Sequence, residues 1–247
     1  SGNITGTPTG LPEDYKLING YIVGPNVNLE GADLEGANLT DANLTGVTSG
    51  GIDGNPTLPN RYKMINGYIV GPNVYLGGAN LTGVDLSAAN LTGVTSGNIS
   101  GNPTLPSGYK LINGYIVGPN VNLEGANLEG ADLTGANLEG VMLEGADLSG
   151  AILTGVKSGN ISGTPTGLLE DYSLVYGYIV GPGVDLTYAN LTRADLNGAD
   201  LEGANLTGAN LTSAFLYGVD LTRAELKGAN LNKAILLDFD LTRADLT

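Results

Sequence analysis

The chain has 247 residues, 25 of them acidic against 10 basic for a formal net charge of −15, and it contains neither His nor Cys. Without thiols or imidazoles there is no disulfide framework, no thiolate or histidine metal site and no common general base, which argues against an enzyme and predicts no cofactor and no metal. The acidic surplus argues against direct nucleic-acid binding, and no stretch approaches the roughly 18 apolar residues of a membrane helix.

In chain order, the first signal is a repeat. Ser1–Leu11 (SGNITGTPTGL) returns at Ser158–Leu168 with one difference, so the chain is expected to be cut from a longer array. Next, NGYIVGPNVNLEGA (Asn19–Ala32) recurs at Asn66–Ala79, Asn113–Ala126 and, as YGYIVGPGVDLTYA, at Tyr176–Ala189. Four copies point to a part of the architecture before they point to chemistry. Upstream of each copy lies a joint with prolines or glycines, near 6–15, 54–62, 101–109 and 163–172. The joint tyrosines Tyr21, Tyr68 and Tyr115 are 47 residues apart, and Tyr178 follows after 63. These intervals are nine pentads plus two and twelve pentads plus three. Each joint therefore breaks a five-fold count, and prolines cannot donate to a sheet ladder. The joints are expected to be bulged turns or short protruding loops that act as spacers, with the four tyrosines packed on them at outward corners. Ile22 and Val27, with Leu17 five earlier, are expected to carry the inward wall through the joint.

Between and after the joints Leu recurs every five residues: Leu29–Leu44, Leu76–Leu91, Leu123–Leu153, and without a slip from Leu186 to Leu246 in the uninterrupted pentads of 184–247. A period of five fits neither a helix nor a simple strand, so each unit must be a face and a corner. Ala or Val two places before Leu points to the same side as Leu, Asp or Asn between them points out, and Thr, Glu, Gly or Arg completes an outward-facing corner, for which Gly is suited. With 2 Phe, no Trp and 40 Gly, the core must be Leu, Ile, Val and Ala.

This A(D/N)LxG pattern resembles the pentapeptide repeat family, of the bacterial and cyanobacterial type with NGYIVGP joints, over nearly the whole chain. The resemblance implies an all-β fold: a right-handed quadrilateral β-solenoid with about 20 residues per coil, continuous over residues 1–247. Roughly 12 coils at about 4.8 Å would make a rod of roughly 55–60 Å. It further implies a non-enzymatic structural spacer or protein-interaction scaffold, part of a larger protein, with a lean towards an exported bacterial location. The alternative it offers is a DNA mimic, since some members resemble B-form DNA and protect a topoisomerase, DNA gyrase.

If 20 residues make a coil, residues 20 apart are stacked and surface patches can be read off. Phe215 stacks with Ile235 and Tyr217 with Leu237, a candidate apolar interface and a route to a homodimer through the carboxyl-terminal face. Phe239 takes an inward position and is expected to plug the core. Glu124, Glu129, Asp132, Glu139, Glu144 and Asp147 form a candidate acidic strip with no basic residue between Val121 and Val156. Arg193 with Lys233, and Arg223 with Arg243, fall on matching corners. The NLT triplets follow from the pentad and carry little weight as glycosylation signals. Threonine columns are too short for an ice-binding array.

Overall fold

The computed structural model describes residue 2 and residues 4–246. Ser1, Asn3 and Thr247 lie outside the described residues, so the opening repeat and the last pentad are described in part. The chain forms two compact units, Ser1–Ile116 with Asn120–Asn122, and Val117–Pro119 with Leu123–Thr247.

Each pentad is built by the same local chemistry. The side-chain oxygen of the Asp or Asn before Leu accepts the N–H two residues on, as Asn38 does from Thr40 at 3.0 Å and Asp220 from Thr222 at 2.8 Å. The Leu carbonyl then accepts the N–H of the next small residue, Leu29 from Ala32 at 3.1 Å and Leu201 from Ala204 at 3.0 Å. This closes a four-residue turn whose third residue has positive φ, 65° at Gly31 and 66° at Gly203, the place a type II turn reserves for Gly. A quarter turn per pentad follows, and four pentads close a coil.

Successive coils are joined by parallel bridges 20 residues apart. In the second unit four columns run Asp185–Asn205–Glu225–Asp245, Asn190–Asn210–Asn230, Asp195–Phe215 and Asp200–Asp220–Asp240. Inside, Leu186, Leu191, Leu201 and Leu206 are fully buried, as are Ala194, Ala204 and Ala209. The result is an all-β solenoid with a leucine-packed shaft.

Among the described residues, regular strands are only three residues long. They are β1 (Lys16–Ile18), β2 (Tyr21–Val23), β3 (Lys63–Ile65), β4 (Tyr68–Val70), β5 (Lys110–Ile112), β6 (Tyr115–Val117), β7 (Asn137–Glu139), β8 (Lys157–Gly159), β9 (Ser173–Val175), β10 (Tyr178–Val180), β11 (Phe215–Tyr217) and β12 (Ile235–Leu237). β7 with β8 and β11 with β12 are parallel neighbours from consecutive coils.

The joints differ from the expected continuous wall. β1 pairs with β2, β3 with β4 and β9 with β10 as antiparallel hairpins, with Leu17 opposite Ile22 and Met64 opposite Ile69. The first two turns are Asn19-Gly20 and Asn66-Gly67, with φ of 50° and 78°, and 50° and 79°, the signature of a two-residue type I′ loop. A coil with a hairpin is longer: Thr48 bridges Tyr75 and Thr95 bridges Asn122 at 27 residues, and Lys157 bridges Asp185 at 28. The proline segments stay in the ladder but one residue short, with Thr57 on Asn38, Thr104 on Asp85 and Thr166 on Asp147.

A buried serine keeps register where the hairpin enters. Ser49, Ser96 and Ser158 accept the N–H of Ile69, Ile116 and Ile179 at 2.9, 2.8 and 2.9 Å, supplying an acceptor where the ladder has none. Beside each hairpin a tyrosine ring lies flat on the Gly of the VGP triplet, and its hydroxyl donates to the proline carbonyl: Tyr15 to Pro25, Tyr62 to Pro72 and Tyr172 to Pro182, at 3.0, 2.9 and 3.0 Å. The other joint tyrosines, expected to pack on the joint loops, meet neighbouring coils. Tyr68 and Tyr178 lie against Gly50 and Gly159, and their hydroxyls accept the N–H of Asn80 and Asn190.

Candidate interaction surface

In residues 184–246 each face has its own character because the four columns carry different outward residues. One face is mixed and one is neutral, built on Asn190, Asn210 and Asn230. The third carries β11 and β12, and the fourth is acidic through Asp200, Asp220 and Asp240.

The third face brings the predicted apolar residues together. β11 and β12 pair in parallel with Phe215 on Ile235 and Tyr217 on Leu237. Their relative exposures are 43%, 46%, 53% and 58%, so about half of each of these four stacked residues meets solvent. One coil earlier the same face is polar: Asp195 bridges Phe215, and the Asn197 side-chain oxygen accepts the Tyr217 N–H at 2.8 Å. Against Asp195–Asp200 the fourth joint, Glu170–Ser173, walls a cavity of about 250 Å³ with four carboxylates. Burial pushes the Tyr172 phenol above its ordinary pKa, and the charges of Asp200 and Asp171 add to the shift.

Phe239, expected to plug the core, is not enclosed among the described residues. It keeps its register, since Asp240 bridges Asp220, but it is 38% exposed.

The six acids do not form one strip. A pentad turns the chain by one face, so only Glu124 and Glu144 share a corner position, and Glu129, Asp132 and Glu139 each look out in a different direction. Most are engaged locally: the Glu144 carboxylate accepts the Thr164 N–H at 2.8 Å, Asp132 accepts Thr134 at 3.0 Å, and Asp147 accepts Ser149 at 2.9 Å. Glu139 stands 3.8 Å from Lys157, an exposed pair worth little. Among the described residues no group of three or more Asp or Glu could hold a metal ion.

The corner cations sit where Gly is expected. Arg193, Arg223, Lys233 and Arg243 have φ of 61°, 60°, 58° and 60°. Each left-handed non-Gly residue costs on the order of 1 kcal/mol. The predicted columns are present: Arg193 donates its N–H to Thr212 below Ser213, Ser213 to Asn232 below Lys233, and Arg223 to Thr242 below Arg243. Arg223 also pairs with Glu202 at 2.7 Å.

Sequence reasoning found the apolar ladder and the cation columns because both follow from 20-residue arithmetic. It missed the acidic cavity, which needs the fourth joint folded against a later coil. It also missed the buried serines and the tyrosine–glycine contacts. Their traces in the sequence were the recurring Ser-Gly before each joint and the recurring Tyr nine residues before the Gly of Val-Gly-Pro.

A solenoid with one pentad per face and a leucine shaft is the architecture of a repeat protein whose surface is set residue by residue along four columns. The family model for pentapeptide repeats matches with eight copies, over residues 26–48, 73–95, 120–155, 185–223 and 224–247. That is more than half of the sequence, and the chain belongs to the pentapeptide repeat family. No curated protein matches it. Among solved structures it is similar to QnrB1, described as a plasmid-mediated fluoroquinolone resistance protein, at 17% identity over 71% of this chain and 78% of that one, with a TM-score of 0.22. It is also similar to HetL of the cyanobacterium Nostoc sp. strain PCC 7120, involved in heterocyst differentiation regulation, at 24% identity over 89% and 87% with a TM-score of 0.17. A third is Rfr23 of the cyanobacterium Cyanothece 51142, at 27% identity over 51% and 91% with a TM-score of 0.15. These superpositions are poor, and the fold rests on the chain's own ladder and the family match.

Proposed function

We propose that the chain is a non-catalytic scaffold, a rigid spacer that offers a protein-interaction face, and that this face is the ladder of Phe215, Tyr217, Ile235 and Leu237. The observation that carries it is the half-exposure of four large apolar side chains on two consecutive parallel strands. Rigidity is supported by the hydrogen-bonded ladder between coils, which fixes each pentad to the one above it. A single continuous solenoid over 1–247 belongs to the same proposal, and small-angle scattering tests it. The interaction face is tested by affinity capture with wild type and with Phe215→Asp/Leu237→Asp, after circular dichroism shows both folded. A protein held by wild type and lost from the variant is the expected result; an identical set of captured proteins refutes the face.

A DNA mimic that protects a topoisomerase is a second reading, favoured by the net charge of −15. Two features weigh against it: many Asp side chains are spent on their own corners, and cations interrupt the acidic surface at Arg193, Arg223, Lys233 and Arg243. A supercoiling assay in which the chain leaves an inhibited gyrase inhibited discards it.

A further inference from the structure

We propose that the occupant of the apolar ladder is a second copy of this chain, laid face to face and parallel, with the twofold axis running along the solenoid. This rests on the ladder being an interaction face, and it goes further by naming the partner and its orientation.

The two edges of the ladder carry opposite charge. On one side runs the corner of Arg193, Ser213 and Lys233, and on the other the corner of Gly198, Gly218 and Asp238, beyond which the acidic face of Asp200, Asp220 and Asp240 begins. Two copies can bring this face together in two simple ways. With the twofold axis along the strands the copies run antiparallel, and the cationic edge of one meets the cationic edge of the other. With the axis along the solenoid they run parallel, coil opposite coil, and the cationic edge meets the acidic edge. Only the second is complementary, and it is complementary twice, once at each edge.

The corner conformation supports a role for the cationic edge. Arg193, Ser213 and Lys233 hold left-handed φ of 61°, 58° and 58°, whereas one face on Gly198 and Gly218 fill the same turn position and only Asp238, with φ of 49°, carries a side chain there. Side chains have been kept on this edge at positions where Gly would be relaxed. Size sets the strength. If each side chain carries about 150–200 Å² and half is exposed, the ladder offers on the order of 300–400 Å², against roughly 800 Å² per partner in a stable interface. The charged edges must supply the rest, so the dimer is expected to be concentration-dependent and to weaken about tenfold as salt rises from 0.05 to 0.5 M.

The absence of Cys makes the test clean. Sedimentation equilibrium of wild type should show a monomer–dimer equilibrium that Phe215→Asp/Leu237→Asp abolishes. Lys233→Cys and Asp238→Cys, placed on the two edges of one coil, are then treated with a bismaleimide spanning about 10 Å, the distance between stacked sheets. Mixing the two variants should give a cross-linked dimer, and one native Lys233–Asp238 pairing remains in that heterodimer. Either variant alone should stay uncross-linked. A cross-link within Lys233→Cys alone overturns the parallel orientation. A wild type that stays monomeric at every concentration overturns the second copy as occupant, while the capture experiment judges the face independently.

Discussion

The Gly71–Tyr62 contact makes the sharpest prediction about stability. A Cβ placed on Gly71 would lie 2.3, 2.7 and 2.9 Å from three ring carbons of Tyr62, well inside contact distance. Gly71→Ala must therefore push the ring off the backbone, breaking the 2.9 Å hydrogen bond from the Tyr62 hydroxyl to Pro72. The bond is worth about 0.5–1.5 kcal/mol, and overpacking adds about 1–3, so a loss of about 2–4 kcal/mol is expected. Gly71 lies outside the left-handed region, so Ala itself is tolerated by the backbone. With the ring removed by Tyr62→Ala, the same substitution should become neutral or stabilise by up to about 1 kcal/mol, through the smaller entropy of the unfolded chain. The assay is urea unfolding of the four proteins of this cycle followed by circular dichroism, compared at constant m-value because a solenoid can unfold in blocks. If the two substitutions add within about 0.5 kcal/mol, the steric account is wrong.

Ser49→Ala should cost about 1–3 kcal/mol, because it strands the buried Ile69 N–H, and hydrogen exchange at Ile69 should quicken. Tyr176 holds φ of 51° where the first three joints have Asn, so Tyr176→Asn should raise the unfolding free energy by about 0.5–1 kcal/mol despite loss of the 3.3 Å hydroxyl contact to Arg193. Leu206→Ala, fully buried, should cost about 2–5 kcal/mol, while Phe239→Ala, at 38% exposure, should cost clearly less; equal losses would restore the core plug. Hydrogen bonds from Ser87, Ser149 and Thr242 hold Asp85, Asp147 and Asp240 below the ordinary carboxylate value. Their contribution is present above about pH 4 and is lost as pH falls through the lowered folded values. Burial raises Tyr62, Tyr109 and Tyr172, so their contribution is present below about pH 10 and is lost as pH rises through the raised values. Melting temperatures across pH should form a plateau falling at both ends, and a midpoint that rises below pH 4 would contradict the aspartate turns.

The five-residue period alone determined that Leu186 to Leu226 line a shaft, that Ala or Val two places earlier joins them, and that Phe215 lies over Ile235. Each follows from a backbone that turns by one face per pentad, so spacing is position. The joints escaped the same logic for a geometric reason. Leu17, Ile22 and Val27 are spaced by five and look like successive faces, yet residues opposite each other across a two-residue hairpin can also be five apart, as Leu17 and Ile22 are. Asn-Gly at 19–20 distinguished the two, through the left-handed pair it favours. Phe239 shows the other limit: register placed it inward, but burial depends on a neighbouring coil and not on register. The acidic cavity beside Asp195 depends on which later coil the Glu170–Ser173 loop meets. Local period decides what a residue faces, whereas contacts between coils decide whether it is covered, paired or strained, and those contacts exist only once the chain has folded.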